Sequence, residues 1–201
     1  MKNKREIQFR RYRIVAAELE SGVLARAFLR GGRQGTGAVL ETKGDTVEAA
    51  IEVARAKLHA RDEDMRQKRR FDEYWQFHVP TKQEFIDALL VVSLSPPQLA
   101  MLGAHALAGC TGMTAGEIAL AGGYDHFETA NALYGKVGRA IADALGVTPP
   151  DAGNREGDVA TGVIATAGPP REETEHFVWI MYPELASALT DPRAQSSNGT
   201  K

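Results

Sequence analysis

Polar and apolar positions in the first 45 residues follow the pattern of short strands. Residues 7–18 and 23–29 are rich in β-favouring or small apolar side chains, and a Ser21-Gly22 turn separates them. After a glycine-rich loop, residues 38–42 have the same character. The pattern predicts three strands in this part of the chain.

A helix is predicted directly after the third strand. Asp45 and Glu48 have the spacing of a capping box, in which side chains satisfy the backbone N–H groups of a helix start. Apolar residues at helical spacing provide its buried face: Val47, Ile51, Ala54 and Leu58. The sequence therefore predicts a β-β-β-α domain over residues 1–62. The charged and aromatic residues 63–78 extend this helix or form a linker, and composition leaves both open.

From residue 79 onward the pattern changes to helices. Thr81 with Glu84 forms a capping box, and Ser95-Pro96 combines a capping residue with a proline at the first helical position. We expect a second, mostly helical domain over residues 79–190. Residues 191–201 are rich in Ser, Asn and Gly and are predicted to be a disordered tail.

Residues 113–147 have the pattern of a helix-turn-helix. Thr114 begins a short helix, Gly122-Gly123 tolerates positive φ in a tight turn, and a longer helix begins near Asp125 or His126. Side chains three and four apart predict the buried stripe of the longer helix: Phe127, Ala130, Tyr134, Val137, Ile141 and Leu145. The N-terminal part of such a second helix is the part that meets base edges in DNA.

The opposite face of the longer helix carries the candidate DNA-binding residues. Thr129 and Asn131 suit base contacts, Lys136 and Arg139 suit phosphates, and His126 lies at the helix start. Acidic residues share this face and would be repelled by phosphates. A purely structural helix-turn-helix therefore remains an alternative.

Two β-prone segments follow the helix-turn-helix. Residues 157–167 and 176–181 flank a Gly-Pro-Pro-Arg loop that ends at Arg171. A helix-turn-helix followed by a hairpin is typical of a winged helix, and Arg171 would reach DNA from the wing. The predicted fold class is α+β, with a β-β-β-α unit before a mostly helical domain that resembles a winged helix-turn-helix.

Charge is distributed unevenly along a chain whose formal net charge is −2. Residues 1–33 carry nine Lys or Arg against three Glu, so this segment is +6 and the remainder is −8. Arg10, Arg11 and Arg13 are candidate phosphate contacts within it. The alternative is an edge strand whose positive charge discourages aggregation.

Several function classes have no support in the sequence. The chain has one cysteine, no run of about 18 apolar residues and no apolar signal segment at its N-terminus, so we expect a cytoplasmic protein. Sequence motifs of nucleotide hydrolysis, serine hydrolases and zinc peptidases are absent. The expectation is a protein without catalytic activity, cofactor, metal or membrane partner.

Landmark residues with a familiar order lie between residues 79 and 190. They are Val79-Pro80-Thr81, Gln98–Leu102, Gly123-Tyr124, Ala130-Asn131, Tyr134–Gly138, Ala144–Gly146, Val178–Met181, Pro183–Ala186 and Ala188-Leu189. This series resembles a bacterial helical module that occurs alone or beside HNH-type nucleases. The resemblance implies a DNA-related setting such as restriction or defence against foreign DNA. The five histidines are scattered and form no His-Asn-His pattern, so nuclease activity is not expected.

The N-terminal unit has a second resemblance. Its strand order and its Gly44-Asp45-Thr46 turn into the helix are similar to the antitoxin domain of the HicB family, which also precedes a DNA-binding domain. This resemblance implies a first domain that holds a protein partner.

Two functions are therefore expected. The first is a regulatory or defence-related protein that binds double-stranded DNA. The alternative is an interaction module, such as an antitoxin, an inhibitor or a homodimer, in which residues 113–145 and the aromatic residues Tyr74, Trp75 and Phe77 form a protein-binding surface.

Overall fold

The protein has the α+β fold class that the sequence predicts. The computed structural model describes residues 2–32, 36–151, 159–170 and 176–195. An antiparallel sheet comes first in the chain and a largely helical region follows it. The chain divides into two compact units, Met1–Lys68 and Arg69–Lys201, called unit 1 and unit 2.

Unit 1 contains an antiparallel sheet in which each strand pairs with the next along the chain. Its strands are β1 (Lys2–Phe9), β2 (Tyr12–Leu19), β3 (Gly22–Leu29) and β4 (Leu40–Gly44). The prediction of one strand over residues 7–18 is wrong, because the chain reverses at Arg10-Arg11 and Phe9 pairs with Tyr12. Arg10 adopts a φ of +53°, a conformation uncommon outside glycine, so the turn has no sequence signature.

Helix α1 (Val47–Gln67) packs on one face of this sheet. Its N-cap is Thr46, whose side chain accepts a hydrogen bond from the Ala49 N–H (3.1 Å), so the helix begins one residue later than the Asp45 pattern predicts. The charged residues after position 60 continue the helix as far as Gln67. Of the two predicted alternatives, helix extension and linker, this part of the chain therefore follows the first. The core side chains are Tyr12, Ile14, Ala16, Ala25, Ala27, Leu29, Val47, Ala50, Ile51, Ala54 and Leu58.

Unit 2 is mostly helical in its described residues. Its helices are α2 (Lys82–Leu89), α3 (Pro96–Ala108), α4 (Ala115–Ala121), α5 (Phe127–Leu145), α6 (Pro183–Leu189) and α7 (Pro192–Gln195). Its strands are β5 (Arg70–Asp72), β6 (Phe77–Val79), β7 (Met113–Thr114), β8 (Ala165–Ala167) and β9 (Val178–Met181). The predicted capping box at Thr81 and the predicted N-cap at Ser95 both form, so α2 and α3 begin where their caps indicate.

The topology of unit 2 is that of a winged helix. Strand β9 pairs with β7, which lies between α3 and α4, and also with β8, which follows α5. The β8–β9 hairpin is the wing. Both of its strands are shorter than predicted, and Ala160–Val163 form a 3-10 turn instead of a strand.

This 3-10 turn packs closely against α5. A Cβ atom on Gly138 would lie 2.0 Å from the Ala160 carbonyl oxygen, so only glycine permits the contact. The contact fixes the segment that leads from α5 into the wing.

The chain end is partly ordered, contrary to the prediction for residues 191–201. Pro192–Gln195 form α7, the Ala194 side chain is buried, and the Asp191 carboxylate accepts hydrogen bonds from Arg193. Burial of one small apolar side chain and a local cap order this turn despite its polar composition. Residues 196–201 lie outside the described residues.

Candidate nucleic-acid interface

Helices α4 and α5 form the helix-turn-helix of unit 2. The Thr114 side chain accepts a hydrogen bond from the Glu117 N–H (3.3 Å), and the Glu117 carboxylate accepts one from the Thr114 N–H (2.7 Å). In the glycine turn only Gly123 has a positive φ, +79°. The prediction is wrong for Gly122, where a Cβ would lie 2.8 Å from Cγ of Met101 and space is the reason for glycine.

The buried face of α5 follows the predicted stripe with one exception. Ala130, Tyr134, Val137 and Ile141 are buried, and Leu145 is half-buried. Phe127 is 50% exposed and does not belong to the core. It lies in the first turn of the helix and lines a cleft beside that turn.

Four of the predicted DNA-binding residues are exposed on α5, and three of them share the face that points away from the core. Thr129, Lys136 and Arg139 are exposed and fall within about 80° of each other at 100° per residue. These three residues define the outward face. Asn131 is also exposed but lies about 80° or more around the helix from them, toward the cleft.

His126 occupies the N-cap position of α5. Its side chain makes no capping hydrogen bond, and it is exposed. The helix itself begins at Phe127, close to the predicted start.

A cleft of about 690 Å³ opens beside the first two turns of α5. Five aromatic side chains line it and define the aromatic pocket: Tyr74, Trp75, Phe127, Phe177 and Trp179. Asn131, Thr161 and His176 add polar groups to the same walls. The pocket therefore combines flat apolar surfaces with hydrogen-bonding groups, which is the composition of a small-molecule or nucleobase site.

Four of the five rings of the aromatic pocket are in mutual contact. Trp75 and Trp179 are nearly parallel, with centroids 6.1 Å apart and an interplanar angle of 16°. The Phe177 ring lies 4.6 Å from that of Trp179, and the Tyr74 ring lies 4.7 Å from that of Trp75, edge-on. Such contacts limit the movement of the rings and present a preformed surface.

Hydrogen bonds hold both tryptophans in place. Trp75 Nε1 donates to the Ala165 carbonyl (3.1 Å), and the Trp75 backbone N–H donates to Asp72 (2.9 Å). Trp179 lies in the central strand of the wing sheet, opposite Met113 on one side and Ala167 on the other. The pocket is thus anchored to the small sheet of the winged helix.

A buried histidine is hydrogen-bonded to the backbone of strand β9, which carries Trp179. His105 of α3 is fully buried, and its Nε2 donates to the Trp179 carbonyl (2.8 Å). Because a carbonyl only accepts, Nδ1 is the acceptor for the Tyr134 hydroxyl (2.5 Å). Burial lowers the pKa of His105, and the bond to Trp179 opposes that shift only in part.

The three candidate phosphate contacts of unit 1 form ion pairs within that unit. Arg11 pairs with the Asp62 carboxylate (3.0 Å), and Arg10 lies 3.6 Å from the same group. Asp62 also accepts a hydrogen bond from the Tyr12 hydroxyl (2.5 Å). Burial raises the pKa of this hydroxyl to about 12. Arg13 pairs with Glu6 (3.3 Å). Arg10 and Arg13 keep partly exposed guanidinium groups, whereas Arg11 is largely enclosed.

Two further sequence expectations have different outcomes. Arg171, expected in the wing, lies outside the described residues. Phe77 is buried in the core of unit 2, so the predicted surface of Tyr74, Trp75 and Phe77 is wrong for Phe77. The rings that join Tyr74 and Trp75 instead come from α5 and from β9 with its preceding residue, 52 to 105 positions later. No local pattern connects such distant residues.

In the ranges that the structure describes, no helix has both the length and the apolar character needed to cross a bilayer. The same ranges hold no group of three or more His, Cys, Asp or Glu side chains arranged to bind a metal ion.

No protein-family model, curated protein or solved structure matches this chain. The resemblances to the HNH-associated module and to HicB antitoxins therefore stay predictions from the sequence.

Proposed function

We propose that unit 2 binds double-stranded DNA through the outward face of α5 and does so without catalysis. The observation that carries the proposal is the exposure of Thr129, Lys136 and Arg139 together on the second helix of a winged helix. That helix is the element which enters the major groove in DNA-binding helix-turn-helix proteins.

Local charge on α5 supports the proposal. Between Glu128 and Asp143 the helix contains no carboxylate, so its central turns carry only the positive charges of Lys136 and Arg139. Positive side chains in this position can pair with phosphates on either side of a groove.

The charge of unit 2 as a whole favours a second candidate. Residues 69–201 contain nine Lys or Arg and sixteen Asp or Glu, a formal charge of −7. Acidic domains gain little non-specific affinity for DNA. The alternative function is therefore the binding of a protein partner by the same winged helix, and the two candidates predict opposite results with DNA.

The test is a titration of labelled random-sequence duplex DNA followed by fluorescence anisotropy at low salt. We compare the wild type with the Lys136→Gln, Arg139→Gln double variant. The control is Lys82→Gln, Arg193→Gln, which removes two positive charges from exposed positions elsewhere in unit 2.

We expect the wild type and the control to bind alike and the α5 variant to bind less tightly. Equal binding by all three proteins would show that the outward face does not contact DNA. Absence of binding by the wild type at low salt would refute DNA binding altogether and favour the protein partner.

A further inference from the structure

We propose that the aromatic pocket receives one unpaired nucleobase of the bound DNA. The inference deepens the proposed function and rests on it. Its basis is the convergence of five aromatic rings and the Asn131 amide beside the first turns of α5.

The pocket and the outward face belong to the same helix. Phe127 and Asn131 are one helical turn apart and line the pocket, and they precede Lys136 by about 14 and 8 Å along the helix axis. They lie about 140° or more around the helix from Lys136, so only a base that leaves the stack and passes around the start of α5 reaches the pocket. A base that leaves the stack at that point has a site within the same unit.

The walls of the pocket match the flat faces of a base. Rings that present their faces or edges to a cleft bind planar heterocycles by stacking, and every base provides a π-face. The volume of about 690 Å³ is within the range of pockets that hold small organic ligands. The pocket is therefore large enough for a base together with part of its sugar.

The polar groups of the pocket suit the edge of a nucleobase. Asn131 has an exposed side-chain amide, which can donate and accept at the same time. Paired donor and acceptor groups are what the edge of a nucleobase offers.

The base must be unpaired to enter. In a matched duplex the base faces are covered by stacking and the Watson–Crick edges are occupied, so an enclosed aromatic site can take only an extruded or single-stranded base. Extrusion costs least at a mismatch. The proposal therefore predicts a preference for DNA that contains an unpaired position.

The chain supplies its own reporter for this test. It has only two tryptophans, Trp75 and Trp179, and both line the pocket. A base stacked on either ring quenches its fluorescence, so intrinsic emission reports occupancy of the pocket, while the anisotropy of labelled DNA reports binding by any surface.

The experiment titrates the full chain with a matched duplex, with the same duplex carrying one central mismatch, and with one of its strands alone. Phe127→Ala removes an exposed wall of the pocket and Tyr74→Ala removes a second one. Phe71→Ala is the matched control, because Phe71 is exposed to a similar extent (44%) and does not line the pocket. Circular dichroism checks that each variant is folded.

We expect tighter binding and stronger tryptophan quenching with mismatched and single-stranded DNA than with the matched duplex. Phe127→Ala and Tyr74→Ala should each weaken binding of the unpaired DNA by about fivefold or more, the loss typical of one base–aromatic stack. Neither variant should change binding of the matched duplex, and Phe71→Ala should change nothing.

The contradicting results separate this inference from the proposed function. If the matched duplex binds but an unpaired base brings neither preference nor quenching, the pocket inference fails and the proposed function stands. If no DNA changes the anisotropy, the proposed function fails and the pocket inference fails with it. If quenching by a proline-rich or aromatic peptide is strong and quenching by DNA is absent, the occupant is a peptide.

Discussion

The bond between His105 and Tyr134 provides a test of how unit 2 supports its aromatic pocket. Tyr134→Phe removes only the hydroxyl, which donates to Nδ1 of the fully buried His105. The imidazole is held on its other side by the Trp179 carbonyl and cannot turn to find water. The variant therefore leaves a buried acceptor without its donor and changes little else in shape.

The unsatisfied acceptor sets the loss in the free energy of unfolding. A buried polar group that loses its partner costs about 1–3 kcal/mol. For a unit of this size, 1 kcal/mol corresponds to roughly 4 °C in Tm, so Tyr134→Phe should lower Tm by roughly 4–12 °C.

The same histidine predicts how stability depends on pH. Because the pKa of His105 is lowered in the folded state, the unfolded chain takes up a proton first as pH falls through 6.5. The free energy of unfolding then decreases by up to about 1.4 kcal/mol per pH unit until the pH reaches the folded-state pKa. This contribution to stability is complete above pH 6.5 and is lost below it. His105→Gln should remove this part of the pH dependence.

The assay is urea unfolding followed by tryptophan emission, which reports unit 2 alone because both tryptophans lie there. Wild type, Tyr134→Phe and His105→Gln are compared between pH 5 and pH 8. A Tyr134→Phe variant as stable as the wild type would show that the hydrogen bond does not support the fold. The same pH dependence in wild type and His105→Gln would refute the assignment of a neutral, buried imidazole.

Three further substitutions test the packing and the ion pairs. Gly138→Ala should destabilise unit 2 by about 1–3 kcal/mol because its Cβ meets the Ala160 carbonyl, whereas Gly135→Ala, with open space around it, should be neutral or stabilising in the same urea titration. Asp62→Asn should destabilise unit 1 by about 1–3 kcal/mol, measured by circular dichroism, because it removes the charge from the carboxylate that accepts hydrogen bonds from the largely enclosed Arg11 and from the Tyr12 hydroxyl. Glu84→Gln should destabilise unit 2 by about 3 kcal/mol or more, because it breaks a buried pair with Arg69; a loss under 1 kcal/mol would contradict this reading.

Local signals in the sequence predicted the helices of unit 2 well. Thr81, Ser95 and Thr114 each begin a helix where a capping pattern places it, because capping depends on residues three positions apart. The spacing of buried positions in α5 was predicted for the same reason. These features need no knowledge of the rest of the chain.

Other features depend on residues that are distant in the sequence or on turns without a signature. The reversal at Arg10-Arg11 contains no glycine, asparagine or proline, so one long strand was the simpler interpretation. Phe127 has the spacing of a core residue, yet it is half exposed and lines the aromatic pocket together with residues distant in the sequence. Gly138 faces a turn more than twenty residues later, and no local pattern shows that close contact.

The salt dependence of duplex binding shows whether the outward face of α5 contacts phosphates. Each phosphate contact made by a Lys or Arg adds about one unit to the slope of log Kobs against log salt concentration. If the outward face contacts DNA, Lys136→Gln, Arg139→Gln reduces this slope by about 2, while Lys82→Gln, Arg193→Gln leaves it unchanged. The same slope in wild type and in the α5 variant would contradict the claim that the outward face of α5 contacts DNA.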